Sequence, residues 1–208
     1  FEECELLLRA EKKYGVVTQM GNQGHSTVKY HQFKEYVEKG IVTGVERANV
    51  HMNFPRRWHK WNGKVTSFPK EMPLPPTMSR HDWDTWIGTC PWRAHSTDFT
   101  YGEWRSWFDF GNGCLGDWGA HIFDAAHEFL RLGLPSKIET VKNEGRTPVV
   151  FPMASTIRYS FPARGEGMPA CDIVWHDGQY HMFFKSGIRV LPAENWDVSN
   201  VTDMNNMF

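Results

Sequence analysis

The stretch FDFGNGCLGDWGAHIFDAAHEFL, residues 108–130, decides how this chain is read. Gly111, Gly113 and Gly116 supply a pliant backbone that tolerates close approach, and an amphipathic helix headed by Asp117 follows. At 3.6 residues per turn, Asp117, His121, Asp124 and Glu128 fall on one stripe, with Ile122, Ala125, Ala126, Phe129 and Leu130 opposite. Packing alone accounts for such a pattern, because any surface helix shows it. The glycine-rich entry adds a chemical reading: it lets a ligand approach the helix start, where orphan N–H groups and the positive end of the dipole lie. A histidine one turn inside such a start stays neutral near pH 7 and accepts a proton. Asp117, four residues earlier, then orients His121 or bonds a substrate hydroxyl.

With 208 residues the chain holds one large domain, or one domain and part of another. Its 23 basic and 24 acidic residues leave a formal charge of −1, so no electrostatic case exists for nucleic acid or an anionic membrane surface. Ten Trp, fourteen Phe and six Tyr are many for this length, and the Trp residues crowd between Trp58 and Trp118. Aromatics among Arg, His and Asp suit a carbohydrate pocket, in which rings stack on C–H faces and polar side chains take the hydroxyls. They suit a large aromatic core equally. Cys4, Cys90, Cys114 and Cys171 form no CxxC pair, which argues against a zinc ribbon or disulfide scaffold and fits a reducing compartment. No apolar run has the length of a membrane span, and no signal peptide opens the chain. A cytoplasmic location is favoured, with a periplasmic one left open to an upstream signal, since helical sequence starts at once after Phe1 and suggests a piece of a longer protein.

In chain order, residues 1–15 predict a helix with Leu6, Leu7 and Ala10 buried, and Val16–Met20 predicts a short buried strand. GNQGHS turns into a second helix, Thr27 to Glu38, closed by Gly40. Helix, strand, glycine turn and helix are the grammar of a doubly wound layer, whose ligands sit beyond the carboxyl ends of strands. Asn22, Gln23 and His25 fall there, although Gly and Asn also favour turns for backbone reasons alone. Residues 41–50 suit a strand. The proline-rich stretch 54–80 suits a covering or binding loop. A helical turn is expected around Trp83 to Ile87, and TYGEWRSWF delivers Trp104, Arg105 and Trp107 just ahead of the glycines. Arg105 can fork to a hydroxyl pair or a carboxylate, or be satisfied by backbone carbonyls. Lys137–Asn143, Ser155–Pro162 and Cys171–Gly178 alternate as in an antiparallel sheet with one covered face. The expected fold class is therefore α/β plus α+β: the C-terminal edge of a Rossmann layer, then an α/β domain with a mostly antiparallel open sheet.

The words VVTQMGNQGHS, WDTWIG, WRSWFDFGNG and LGDWGAHIFD resemble, in order, the Gfo/Idh/MocA family of nicotinamide-dependent oxidoreductases, the last matching its DxGxHxxD pattern. The resemblance implies a Rossmann remnant at 1–25 and a substrate and oligomerisation domain at 26–180. It implies oxidation of a sugar or polyol hydroxyl with NAD or NADP, His121 as acid/base and Asp117 as its substrate-binding neighbour. Arg105, Trp104 and His25 become substrate-pocket residues, and Asn22 and Gln23 lie by the cofactor. A homo-oligomer through the open sheet is implied as well. The family's GxGxxG turn and Glu-Lys-Pro lysine do not occur in these residues, so the chain by itself is expected to be inactive. Residues 181–208, with WDVSNVTDM and paired Met-Phe words, resemble a leucine-rich-type repeat of bacterial surface proteins.

Three other functions remain open at this point. Transient oxidation of the same kind can cleave a glycosidic bond. A metal-dependent hydrolase would ligate an ion through Asp117, His121, Asp124 or His127. A non-enzymatic surface module is suggested by the repeat-like tail.

Overall fold

The computed structural model describes residues 2–52, 65–100 and 102–178. The repeat-like words at 181–208 and part of the proline-rich stretch lie outside the described residues. Among the described residues four α-helices and four strands follow one another as α1 (Glu2–Tyr14), α2 (Val28–Glu38), β1 (Arg47–Met52), α3 (Arg80–Ile87), α4 (Gly113–Phe129), β2 (Lys137–Glu144), β3 (Ala154–Phe161) and β4 (Cys171–Asp177). Short 3₁₀ turns at Gln23–Ser26 and Glu103–Ser106 precede α2 and α4.

One sheet runs in the order β1-β4-β3-β2. β2 pairs with β3 and β3 with β4 antiparallel, while β1 joins β4 in parallel. This is the mixed α/β fold with a mostly antiparallel open sheet that the alternation predicts. Its period of two turns Cys171, Ile173 and Trp175 to one face, with Tyr159 and Ile157 beside them on β3 and Val50 and Met52 on β1. Onto that face α4 lays Cys114, Trp118, Ile122, Ala126 and Leu130. Ile173 and Trp175 have no exposed surface at all, and each such side chain removed from water contributes about 2–3 kcal/mol. A second, aromatic core gathers Trp83, Ile87, Phe99, Trp107 and Val150, with Phe68 stacked on Trp107.

Two expectations fail at the N-terminal end. Val16–Met20 carries no strand pairing, and Val16, Val17 and Met20 are exposed. Leu6 and Leu7 are exposed too, and α1 has no buried residue. A strand forms only where its backbone groups pair with a neighbouring edge, and among the described residues no strand pairs with this segment. The doubly wound layer is therefore absent from the described residues. The expected strand at 41–50 begins later, at Arg47, because a bend at 41–42 and the left-handed Gly44, at φ +63°, come first.

The far end of the sheet is locked by Asp177, which is buried and accepts from Ser155 N (2.8 Å), Ser155 Oγ (2.6 Å) and Trp175 Nε1 (2.7 Å). Burial pushes its carboxyl above the usual range, and the donors only partly pull it back. The unfolded carboxyl ionises first, so Asp177 draws stability down as pH rises from about 4 towards its raised folded value. Asp177→Ala strands three buried donors and should cost about 2–4 kcal/mol, read from urea denaturation at pH 7. Asp177→Asn should flatten the stability profile just above pH 4.

Candidate active site

α4 begins at Gly113, with Asn112 as its N-cap, one turn ahead of Asp117. Asp117 thus lies in the second turn instead of heading the helix, and His121 stands two turns inside, beyond the first turn over which the dipole acts. The glycines explain the shift. Gly113 takes φ +66°, and a Cβ there would stand 2.7 Å from the Phe151 ring. A Cβ on Gly111 would lie 2.5 Å from the Arg105 backbone, and one on Gly116 would lie 2.2 Å from Asn112. The expected opening for a ligand is filled by the chain's own atoms.

That close passage brings Arg105 to the helix. Its Nε donates to Asp117 Oδ1 at 3.1 Å, its Nη1 to the Gly102 carbonyl at 3.4 Å, and its guanidinium lies 4.4 Å from the Trp104 ring centre. Both arginine readings are realised, a carboxylate and a backbone carbonyl, and the carboxylate is the chain's own. With about a quarter of each side chain exposed, the pair keeps one side open to solvent.

The other half of the site comes from the turn before α2. Thr27 caps α2 by accepting from Tyr30 N, and Tyr30 and Phe33 pack on Phe129 of α4 with ring centres 4.8 and 5.5 Å apart. Docked this way, the 22–25 turn lies along the polar stripe. Asn22 Oδ1 is 2.8 Å from His121 Nδ1, and Asn22 Nδ2 donates to the Ala120 carbonyl at 3.3 Å. His25 Nδ1 is 2.9 Å from Asp124 Oδ2. The Tyr30 hydroxyl donates to Glu128, and burial followed by that bond pushes the phenol up, so it serves as a neutral donor. Gln23 is exposed in the same turn.

Sequence reasoning singled out Asn22, His25, Arg105, Trp104, Asp117 and His121, and the structure gathers them on or beside α4. It did not reach Tyr30, or Trp118, whose ring centre is 5.8 Å from that of His121. One signal was present: Asn22 and His25, three apart, face His121 and Asp124, also three apart.

Among the described residues, most of the aromatic rings serve the core. Trp83, Trp107 and Trp175 are buried, and their indole N–H groups bond the Arg93 carbonyl, the Asp98 carbonyl and Asp177. A cavity of about 460 Å³ lies by α3, lined by Glu71, Met72, Leu74, Arg80, Trp92 and His95, and another of about 170 Å³ lies between Val37 and Met168. Neither includes His121 or Asp117, so the pocket expected around them is, among the described residues, an open face walled on one side by the 22–25 turn. The residues of the alternative metal-dependent reading have other partners: Asp117 engages Arg105, His121 engages Asn22, and His127 Nε2 bonds the Gly133 carbonyl at 2.9 Å. Among the described residues, the side chains close enough to share an ion are His25, Asp124 and Glu128.

A dinucleotide needs a phosphate cradle at a helix start. Glu2, Glu3 and Glu5 crowd the start of α1, Thr27 caps α2, and a Ser79–Asp82 capping box closes α3. The glycines of α4 are filled. The described residues do not fit a pyrophosphate.

A helix that presents Asp117 and His121 over a mixed sheet defines an α/β domain bearing a carboxylate and an imidazole on one helix stripe. Residues 26–149 match the model of the oxidoreductase family C-terminal alpha/beta domain, Gfo/Idh/MocA type. The match covers more than half of the chain, which belongs to the Gfo/Idh/MocA oxidoreductase family. No curated protein matches the chain. Among the described residues no helix is long and apolar enough to cross a membrane.

Gly111→Ala sets a methyl group against the Arg105 backbone. We expect a loss of about 1–3 kcal/mol in urea denaturation, together with a weakened Arg105–Asp117 pair, seen as faster exchange of the Arg105 Nε proton in NMR.

Proposed function

We propose that residues 26–180 form the substrate domain of a nicotinamide-dependent oxidoreductase that acts on a sugar or polyol hydroxyl, with 1–25 the margin of its dinucleotide layer. The observation that carries this reading is the contact of Asn22 with His121 beside the Arg105–Asp117 pair. It gathers residues of three sequence segments at one open face, where a polyol would meet donors and acceptors together.

Oxidising a carbinol removes the hydroxyl proton and the carbon-bound hydride separately. His121 takes the proton at the ring nitrogen turned away from Asn22, an effect typically worth about 10²–10⁴ in rate. Asp117, held by Arg105, accepts a neighbouring hydroxyl and fixes which carbon faces the imidazole. Trp104, under the Arg105 guanidinium, offers a ring face to C–H bonds. A bound NAD or NADP would supply the hydride acceptor; the described residues hold no cradle for it, and their part is to bind the polyol and hold its proton. The sheet face away from α4, laced by the Arg158–Glu139, Arg158–Asp172 and Arg47–Asp172 ion pairs at 3.6–3.8 Å, is the surface for self-association.

In the longer polypeptide this reading requires, His121→Ala should lower polyol-dependent reduction of NAD or NADP by about 10²-fold or more while the circular dichroism spectrum is unchanged. Retained turnover would remove His121 from its role. Isothermal titration of the present chain with NAD(H) and NADP(H) should show no micromolar binding.

A further inference from the structure

The Asn22 amide does more than touch His121. Its two ends differ: the oxygen only accepts and the nitrogen only donates. The Ala120 carbonyl, 3.3 Å from Nδ2, has no proton to give, so the nitrogen end must face it. The oxygen end is then fixed 2.8 Å from His121 Nδ1. An amide oxygen there requires that Nδ1 carry the ring proton. A neutral imidazole has one N–H, so the lone pair belongs to Nε2.

The turn that carries this amide is held by its main chain. Asn22 N donates to the Met20 carbonyl at 2.9 Å, and the Asn22 carbonyl accepts from His25 N at 3.2 Å. Three residues on, His25 clasps Asp124 and ties the same turn to the next turn of α4. Trp118 flanks the imidazole. Two side-chain clasps in register therefore tie the turn to the helix, and the amide's own bonds to the Ala120 carbonyl and His121 set its orientation.

We propose that Asn22 is a positioning residue which locks His121 in the Nδ1–H tautomer and so presents Nε2 as the proton acceptor. Free histidine prefers the opposite tautomer, with Nε2 protonated and unable to accept. The functional meaning rests on the reading of His121 as the base, whereas the tautomer itself does not. When Nε2 takes a hydroxyl proton, the Nδ1–H stays bonded to the amide oxygen, so the ring changes charge without turning. A neutral amide orients the ring without the added negative charge that a carboxylate would place beside it.

Long-range ¹H–¹⁵N correlation of the chain labelled at histidine, above the pH of imidazole titration and with His121→Gln for assignment, reads the tautomer directly. We expect a protonated Nδ1 and a bare Nε2 at His121; a protonated Nε2 would overturn the proposal. Asn22→Leu should move His121 towards the Nε2–H form. Asn22→Asp should keep Nδ1–H but raise the titration midpoint of His121 by roughly one unit, since a carboxylate now faces the imidazolium. An unmoved tautomer in Asn22→Leu, or an unmoved midpoint in Asn22→Asp, counts against the proposal. If either variant fails to fold, the unmodified chain still decides. Should the Nδ1–H form be found while His121→Ala leaves oxidation intact, the oxidoreductase role of His121 fails and the tautomer assignment stands.

Discussion

Burial of Ile173 and Trp175 beneath α4 is the constraint on which the rest depends. A helix of this sequence has one stripe able to cover a sheet, and once Ile122, Ala126 and Leu130 are committed to it, the carboxylates and the imidazole have to face away. The site is the reverse side of the core. The polar stripe takes no part in covering the sheet, and that leaves its residues to meet the turn before α2 and Arg105. The aromatic core below α4's start, with Trp107 buried and bonded to the Asp98 carbonyl, fixes the neighbouring 3₁₀ turn and hence Arg105.

The three glycines illustrate how one sequence feature supports two physical readings. Glycine permits close approach, but sequence does not say by what. Here the approaching atoms are the Arg105 backbone, the Phe151 ring and Asn112, all from within the chain. The functional consequence is indirect: tight passage of Gly111 across Arg105 is what puts a guanidinium beside Asp117. A feature that suggested ligand binding instead positions a side chain.

Chemistry along α4 is arranged in pairs, each joining one residue of the stripe to one from elsewhere: Asp117 with Arg105, His121 with Asn22, Asp124 with His25, Glu128 with Tyr30. Partners from two segments, one running from the turn before α2 into its first turn and one preceding α4, converge on a single helix. Each carboxylate meets a cation, an imidazole or a phenol, which keeps four polar side chains ordered on an open face. The imidazole alone meets an amide, a partner that imposes direction without charge.

Period-two alternation in 137–143, 155–162 and 171–178 was enough to place β2, β3 and β4, because a half-covered antiparallel sheet writes its faces into local order. The stripe from Asp117 to Glu128 was equally legible, since helical phase depends on neighbours three and four residues apart. What sequence could not decide was whatever depends on a distant partner. Val16–Met20 has strand-like composition, yet a strand exists only against a neighbouring edge, and among the described residues none pairs with it. The start of α4 moved to Gly113 because Phe151, nearly forty residues on, fills the space beside that glycine. Likewise the pairing of Asn22 with His121 spans 99 residues and comes from the docking of Tyr30 on Phe129. Local periodicity therefore determined which residues could act together; only tertiary packing decided which of them meet, and through which atoms.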